Sequence, residues 1–321
     1  MLAHMDSLTP SAPTTPIWSP RLPGWALSRG RDVNESDAAF AAGIALKSLD
    51  DLIRAEPPWL GCWRDRLALK SAAVAAKMVG RKEEETALRD AVLLTSAGED
   101  PGPAGKLFLA TRMLTRQSGA IGSSFVKELA TLLDIRWDDG LAALPDLVDT
   151  AVQSGRAAPF AVADLITAIF AARPDAEVMA LSLADVVFSQ KLNWTKPVPL
   201  LLSERFGPAF RTIGGRGRVR PGEPVYPKAI CLALDDAVGG ALRSAGEIDR
   251  RAHRLLAVAP KLRTKGAEAV IRKLLDEDAI PASAPGAGLS RWASTRLFER
   301  LEGFGAVREV SGRSSFRIFG L

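Results

Sequence analysis

The sequence predicts a mainly α protein: an irregular multi-helix body followed by a C-terminal winged helix-turn-helix that contains a small β-hairpin. Three observations carry this expectation. Between residues 34 and 260, apolar side chains recur at i, i+3, i+4 and i+7, the stripe an amphipathic helix turns toward a core. Before the tail, no run of alternating residues demands a sheet. Residues 261–321 then read, in order, as helix, broken connector, helix and hairpin.

The chain begins with Pro10, Pro13, Pro16, Pro20 and Pro23 among Ser and Thr. Repeated Pro removes backbone donors, so an extended leader is expected, pinned to the body by Trp18 and Trp25. Asn34 or Ser36 can cap the first helix, where Ala42, Ala45, Leu46, Leu49, Leu52 and Ile53 form the stripe. Pro57-Pro58 ends it and opens the next helix, in which Trp59, Trp63 and Leu67 lie four apart as a core seam. Arg81 to Asp90 reads as a charged, solvated helix start with Glu85 and Arg89 as i,i+4 partners. Gly98 to Gly105 is a turn, followed by a helix through Leu107 to Leu114. Further helices are expected over Phe125–Leu133, Gly140–Val152, Phe160–Phe170 and Ala176–Leu192.

Thr212 to Gly222 is Gly-rich and carries Arg216, Arg218 and Arg220. It lacks the Gly-Lys-Ser/Thr of a P-loop, and Pro221 blocks a helix directly after it, so it reads as a flexible basic linker. Tyr226–Leu242 and Glu247–Val258 follow as two helices. The expected organisation is therefore a Pro-rich leader (1–32), a helical body (33–212), a basic linker (213–222), connecting helices (223–260) and a winged-helix module (261–321).

Within that module, the first helix buries Ala267, Val270, Ile271, Leu274 and Leu275. A positioning helix should come next, but Pro285, Gly286 and Gly288 disfavour one, leaving a single turn near Pro281–Ala284 or a loop. Ser290 caps the recognition helix, with Ala293, Leu297, Leu301 and Phe304 as its inner stripe. Gly303 and Gly305 end it. Val307–Val310 and Ser315–Phe319 form the hairpin, or wing, around Ser311-Gly-Arg-Ser.

Composition narrows the function. The formal charge is +5, unevenly spread: 21 Lys/Arg against 12 Asp/Glu from Arg205 onward, a net of +9, and a net of −4 before it. A basic C-terminal part points to a polyanion. Cys62 and Cys231 stand alone without a CxxC, which suits two buried thiols in a reducing cytoplasm. The best apolar run, Ala157–Ala172, is too short for a membrane span and is interrupted by Pro159 and Asp164. With two histidines, His4 and His253, His-based metal sites and triads lose their ligands. No cofactor motif is present, and an enzyme would need a pocket lined by acids such as Glu84, Asp90, Asp100 or Asp185. The reading is a non-enzymatic DNA-binding or regulatory protein, with Arg291 and Thr295 meeting bases or the groove and Arg296, Arg300, Arg313 and Arg317 meeting phosphates of double-stranded DNA. The helical body would serve a homo-oligomer or a protein partner. The alternative is an interaction scaffold whose winged helix packs on the body.

Several stretches also carry a resemblance. They are Arg54-Ala-Glu-Pro-Pro-Trp59, Trp63 to Lys70, Glu85 to Asp90, Asp100 to Gly105, Leu183 to Val187, Trp194 to Leu200, Arg296 to Leu301, Gly305 to Arg313 and Phe316 to Leu321. With these the chain resembles, from about Ser36 onward, a family of uncharacterised proteins encoded in rhizobia and related alpha-proteobacteria, often on plasmids. The resemblance implies a bacterial cytoplasmic protein and brings no activity with it. The tail separately resembles small winged-helix modules of bacterial regulators.

Overall fold

In the computed structural model, residues 22, 24–26, 33–96, 98–212, 217–262, 264–283, 288–311 and 316–321 are described. The chain is mainly helical, with a small antiparallel sheet near its C-terminus. The helices are α1 (Glu35–Arg54), α2 (Leu60–Met78), α3 (Glu85–Leu93), α4 (Gly102–Arg116), α5 (Ser123–Leu132), α6 (Asp139–Ala142), α7 (Leu144–Gln153), α8 (Ala158–Ala172), α9 (Glu177–Lys191) and α10 (Tyr226–Val258). Then come α11 (Ala267–Asp276), β1 (Ile280–Pro281), α12 (Arg291–Gly303), β2 (Arg308–Glu309) and β3 (Ile318–Gly320). No described helix is long and apolar enough to cross a membrane.

Asn34 caps α1, its Oδ1 accepting from the Asp37 N–H at 2.8 Å. The α1 stripe packs along α10. Trp59 and Trp63 are fully buried and anchor α2 to the same helix: Trp59 Nε1 donates to Asp249 Oδ1 and Trp63 Nε1 to the Ala241 carbonyl, each at 2.9 Å. Burial of their rings thus comes with both indole donors satisfied. Both cysteines are buried, and burial pushes each thiol up to about 12.

The stretch expected as two helices is one, α10, and it is the central element of the body. Gly239, Gly240 and Gly246 lie inside it, each costing about 1 kcal/mol in a helix interior. The buried series Ala229, Ala233, Ala237, Ala241, Ala245, Ile248, Ala252 and Leu255 runs through all three glycines without interruption. Burial along this stripe outweighs propensity. Conversely, Gly140–Val152 splits into α6 and α7 at Ala143.

Trp25 does not pin the leader. It is 74% exposed, while Leu22 makes the contact with the core. Trp18 lies outside the described residues. Of the basic linker, residues 213–216 also lie outside them. Arg211 and Arg218 on either side form an antiparallel bridge, and Val219 is buried. Arg218 spends its guanidinium on the Arg205 and Phe206 carbonyls and stacks 4.8 Å from the Phe206 ring.

Candidate nucleic-acid interface

The tail is built on a strongly amphipathic helix. In α11 the expected residues, Ala267, Val270, Ile271, Leu274 and Leu275, are the buried ones. They lie in the same apolar core as α1 and α2, which continues to Phe319 and Leu321. The contact with α2 is close. A Cβ on Gly61 would stand 2.9 Å from the Asp276 Cα, so the helix crossing requires glycine there.

A buried ionic staple reinforces the crossing. Arg89, expected to pair with Glu85 on a solvated face, is buried and donates to Asp278 Oδ2 at 2.7 Å instead. Arg66 donates from Nε to Asp278 Oδ1 and from Nη2 to the Leu321 carbonyl at 3.0 Å. Burial pushes the Asp278 carboxyl up, but Arg66 and Arg89 more than offset it and hold it below the usual range. Beside it, Arg112 reaches both Asp65 on α2, at 3.1 Å, and Glu277, at 3.7 Å.

The sheet has the order β1-β3-β2, all antiparallel, with Ile280 opposite Phe319 and Glu309 opposite the same residue from the other side. The expected single turn near Pro281 is therefore displaced: Ile280–Pro281 is an edge strand, where a missing N–H is tolerated. Residues 282–283 then turn, and 284–287 lie outside the described residues. A Cβ on Gly320 would collide with the Asp278 carbonyl, so β3 too rests against the staple.

Ser290 caps α12, accepting from the Ala293 N–H at 3.3 Å. The inner stripe is rotated from the expected one. Ser294, Leu297, Phe298 and Leu301 are buried, while Phe304 is 45% exposed. Phe298 stacks on Phe319 with centroids 4.8 Å apart. The helix ends before Phe304 can share that face, because Gly305 takes φ +62° and turns the chain away.

At 100° per residue, the direction opposite the buried stripe is that of Trp292, Glu299 and Gly303. Arg291 and Thr295 sit on one flank, Arg296 and Arg300 on the other. The three arginines are exposed and Thr295 is half-buried. The Thr295 hydroxyl donates to the Arg291 carbonyl at 3.0 Å. Arg296 lies 4.5 Å over the Trp292 ring. Trp292, 68% exposed at the centre of the face, was missed from sequence, although its i,i+4 spacing from Arg296 is local information.

Arg317 is committed elsewhere. It donates to Glu309 Oε2 at 2.7 Å and to Glu302 Oε2 at 2.9 Å, and the hydrogen bond with Glu309 is the main cause of its raised pKa. One cation facing two carboxylates leaves that corner net negative, a poor phosphate contact. Arg313 lies outside the described residues. Of the acids considered for an enzyme, Asp90 and Asp185 are buried, and Asp185 accepts from the Leu200 and Leu201 N–H groups as a structural cap. Burial pushes its carboxyl up to about 8.

The chain belongs to a family described as protein of unknown function (DUF1403), whose profile matches residues 11–321. No curated protein matches the chain.

Proposed function

We propose that this is a non-enzymatic, cytoplasmic DNA-binding or regulatory protein whose C-terminal unit acts as a winged helix. The order α11-β1-α12-β2-β3, with the sheet arranged β1-β3-β2, supports the reading, with a loop in place of the short positioning helix. The observation that carries it is the outer face of α12. Arg291, Arg296 and Arg300 are exposed there, and among the described residues none has an ion-pair partner. Arginines on both flanks suit a helix lying in a major groove about 12 Å wide, each flank near one phosphate ridge. Glu299 between them could accept from a cytosine amino group.

The rival reading is an interaction scaffold, favoured by the contact of α11 with α2 and by the Arg66–Asp278–Arg89 staple. A gel shift with mixed-sequence duplex DNA, followed by a salt titration of the full chain, separates the two. The DNA reading expects binding at low salt. It also expects a combined Arg291→Ala, Arg296→Ala, Arg300→Ala variant to lose affinity and to flatten the log–log salt slope by about 0.9 per contact removed. No binding at low salt, or an unchanged triple variant, sinks it.

A further inference from the structure

A second site stands apart from the α12 face and does not depend on the DNA reading. A cleft of about 630 Å³ opens where α2 and α5 end and α4 begins. Both helix ends are closed by the same device. After α2, Gly80 takes φ +76°, and the Arg81 N–H donates back to the Ala76 carbonyl. After α5, Asp134 takes φ +55°, and the Ile135 N–H donates back to the Ala130 carbonyl. The two reversals deliver Arg81 at one wall and Asp134 to Arg136 at the other. Leu107, Leu132, Ile135 and Val178 supply apolar lining between them.

The charges at this cleft divide into committed and uncommitted groups. Lys106 is held by Asp100 at 2.7 Å, and Asp175 by Arg173 at 2.7 Å. Arg81 binds Glu83 through Nη2, but its Nε is buried with no acceptor. Among the described residues, Arg136 and Asp134 make no side-chain hydrogen bond or ion pair at all. Arg136 offers a guanidinium free to take a carboxylate, and Asp134, two residues before it, a carboxylate free to take a cation. The volume lies within the range of small-molecule sites.

From this complement of groups we propose that the cleft binds a small zwitterion with an apolar body, the chemical class of an apolar α-amino acid. Its carboxylate meets Arg136, its ammonium meets Asp134, and its side chain covers the apolar lining of Leu107, Leu132, Ile135 and Val178. The full chain is titrated calorimetrically with three probes: L-phenylalanine, 3-phenylpropanoate, which lacks the ammonium, and 2-phenylethylamine, which lacks the carboxylate. L-Phenylalanine should bind at least tenfold more tightly than either. Arg136→Ala should weaken L-phenylalanine at least tenfold and leave 2-phenylethylamine unchanged. Asp134→Asn should do the reverse, weakening L-phenylalanine and sparing 3-phenylpropanoate. Both residues are exposed, so the fold tolerates either change. Binding of none of the probes overturns the proposal. So does 3-phenylpropanoate binding as tightly as L-phenylalanine, or either variant binding L-phenylalanine like the parent chain.

Discussion

Replacing Asp278 by alanine removes one carboxylate and strands two guanidiniums. The Asp278 side chain is 3% exposed, those of Arg66 and Arg89 are 12% and 7% exposed, and Asp278 is the ion-pair acceptor of both. Removing one member of a buried ionic cluster costs about 3–5 kcal/mol, most of it the desolvation of the charges left behind. With a urea m-value of about 3 kcal/mol/M for a chain of this size, the unfolding midpoint should fall by about 1–1.7 M. Asp278→Asn keeps one acceptor oxygen and should fall in between. The exposed Lys47–Asp51 pair is the control: Asp51→Ala should cost well under 1 kcal/mol. The linkage has a definite sign. The folded carboxyl lies below its unfolded value of 3.8, so its stabilisation is complete above that value and is lost as pH falls through the folded one. Asp278→Ala should therefore also flatten the acid limb of the stability curve. A loss under about 1 kcal/mol, or an unchanged acid limb, refutes the account of the staple.

Two glycine substitutions should move in opposite directions. Gly43→Ala in α1 meets nothing within 4 Å and should stabilise by about 0.5–1 kcal/mol, whereas Gly61→Ala should destabilise by forcing α2 away from Asp276, both read from thermal melts. For Asp185, with a folded pKa of about 8 against 3.8 unfolded, stability should decline as pH rises from about 4 to 8. Asp185→Asn should remove that decline, and an unchanged pH profile would contradict the burial argument. Phe298→Ala, which empties a fully buried stacked site, should cost about 3–5 kcal/mol by urea unfolding, while Trp292→Ala should stay within about 0.5 kcal/mol.

What could be read from the sequence was what is local. The Asn34 and Ser290 caps, the Trp59–Trp63 seam and the α11 stripe each rest on residues within two turns of one another, and each reappears in the fold. What could not be read spans the chain. Arg89 looked like a partner for Glu85 because Asp278, 189 residues away, is invisible to local spacing. β1 has two residues and no periodicity of its own, and only pairing with β3 makes it a strand. The α12 stripe was displaced because Phe304 has the right spacing, but the chain leaves the helix before it. The cleft groups escaped notice for a related reason: they are defined by the partners they lack, and an unmade ion pair has no sequence pattern.

The packing of α1 against α10 sets an order of events during synthesis. Roughly 170 residues separate the end of one helix from the start of the other. At about 5–20 residues per second, the apolar stripe of α1 waits on the order of ten to thirty seconds before its partner exists. During that interval α2, with Trp59 and Trp63, also lacks the surface that covers its indoles. The nascent chain is thus at its stickiest over its first hundred residues, and its burden on holding chaperones should drop sharply once α10 leaves the ribosome.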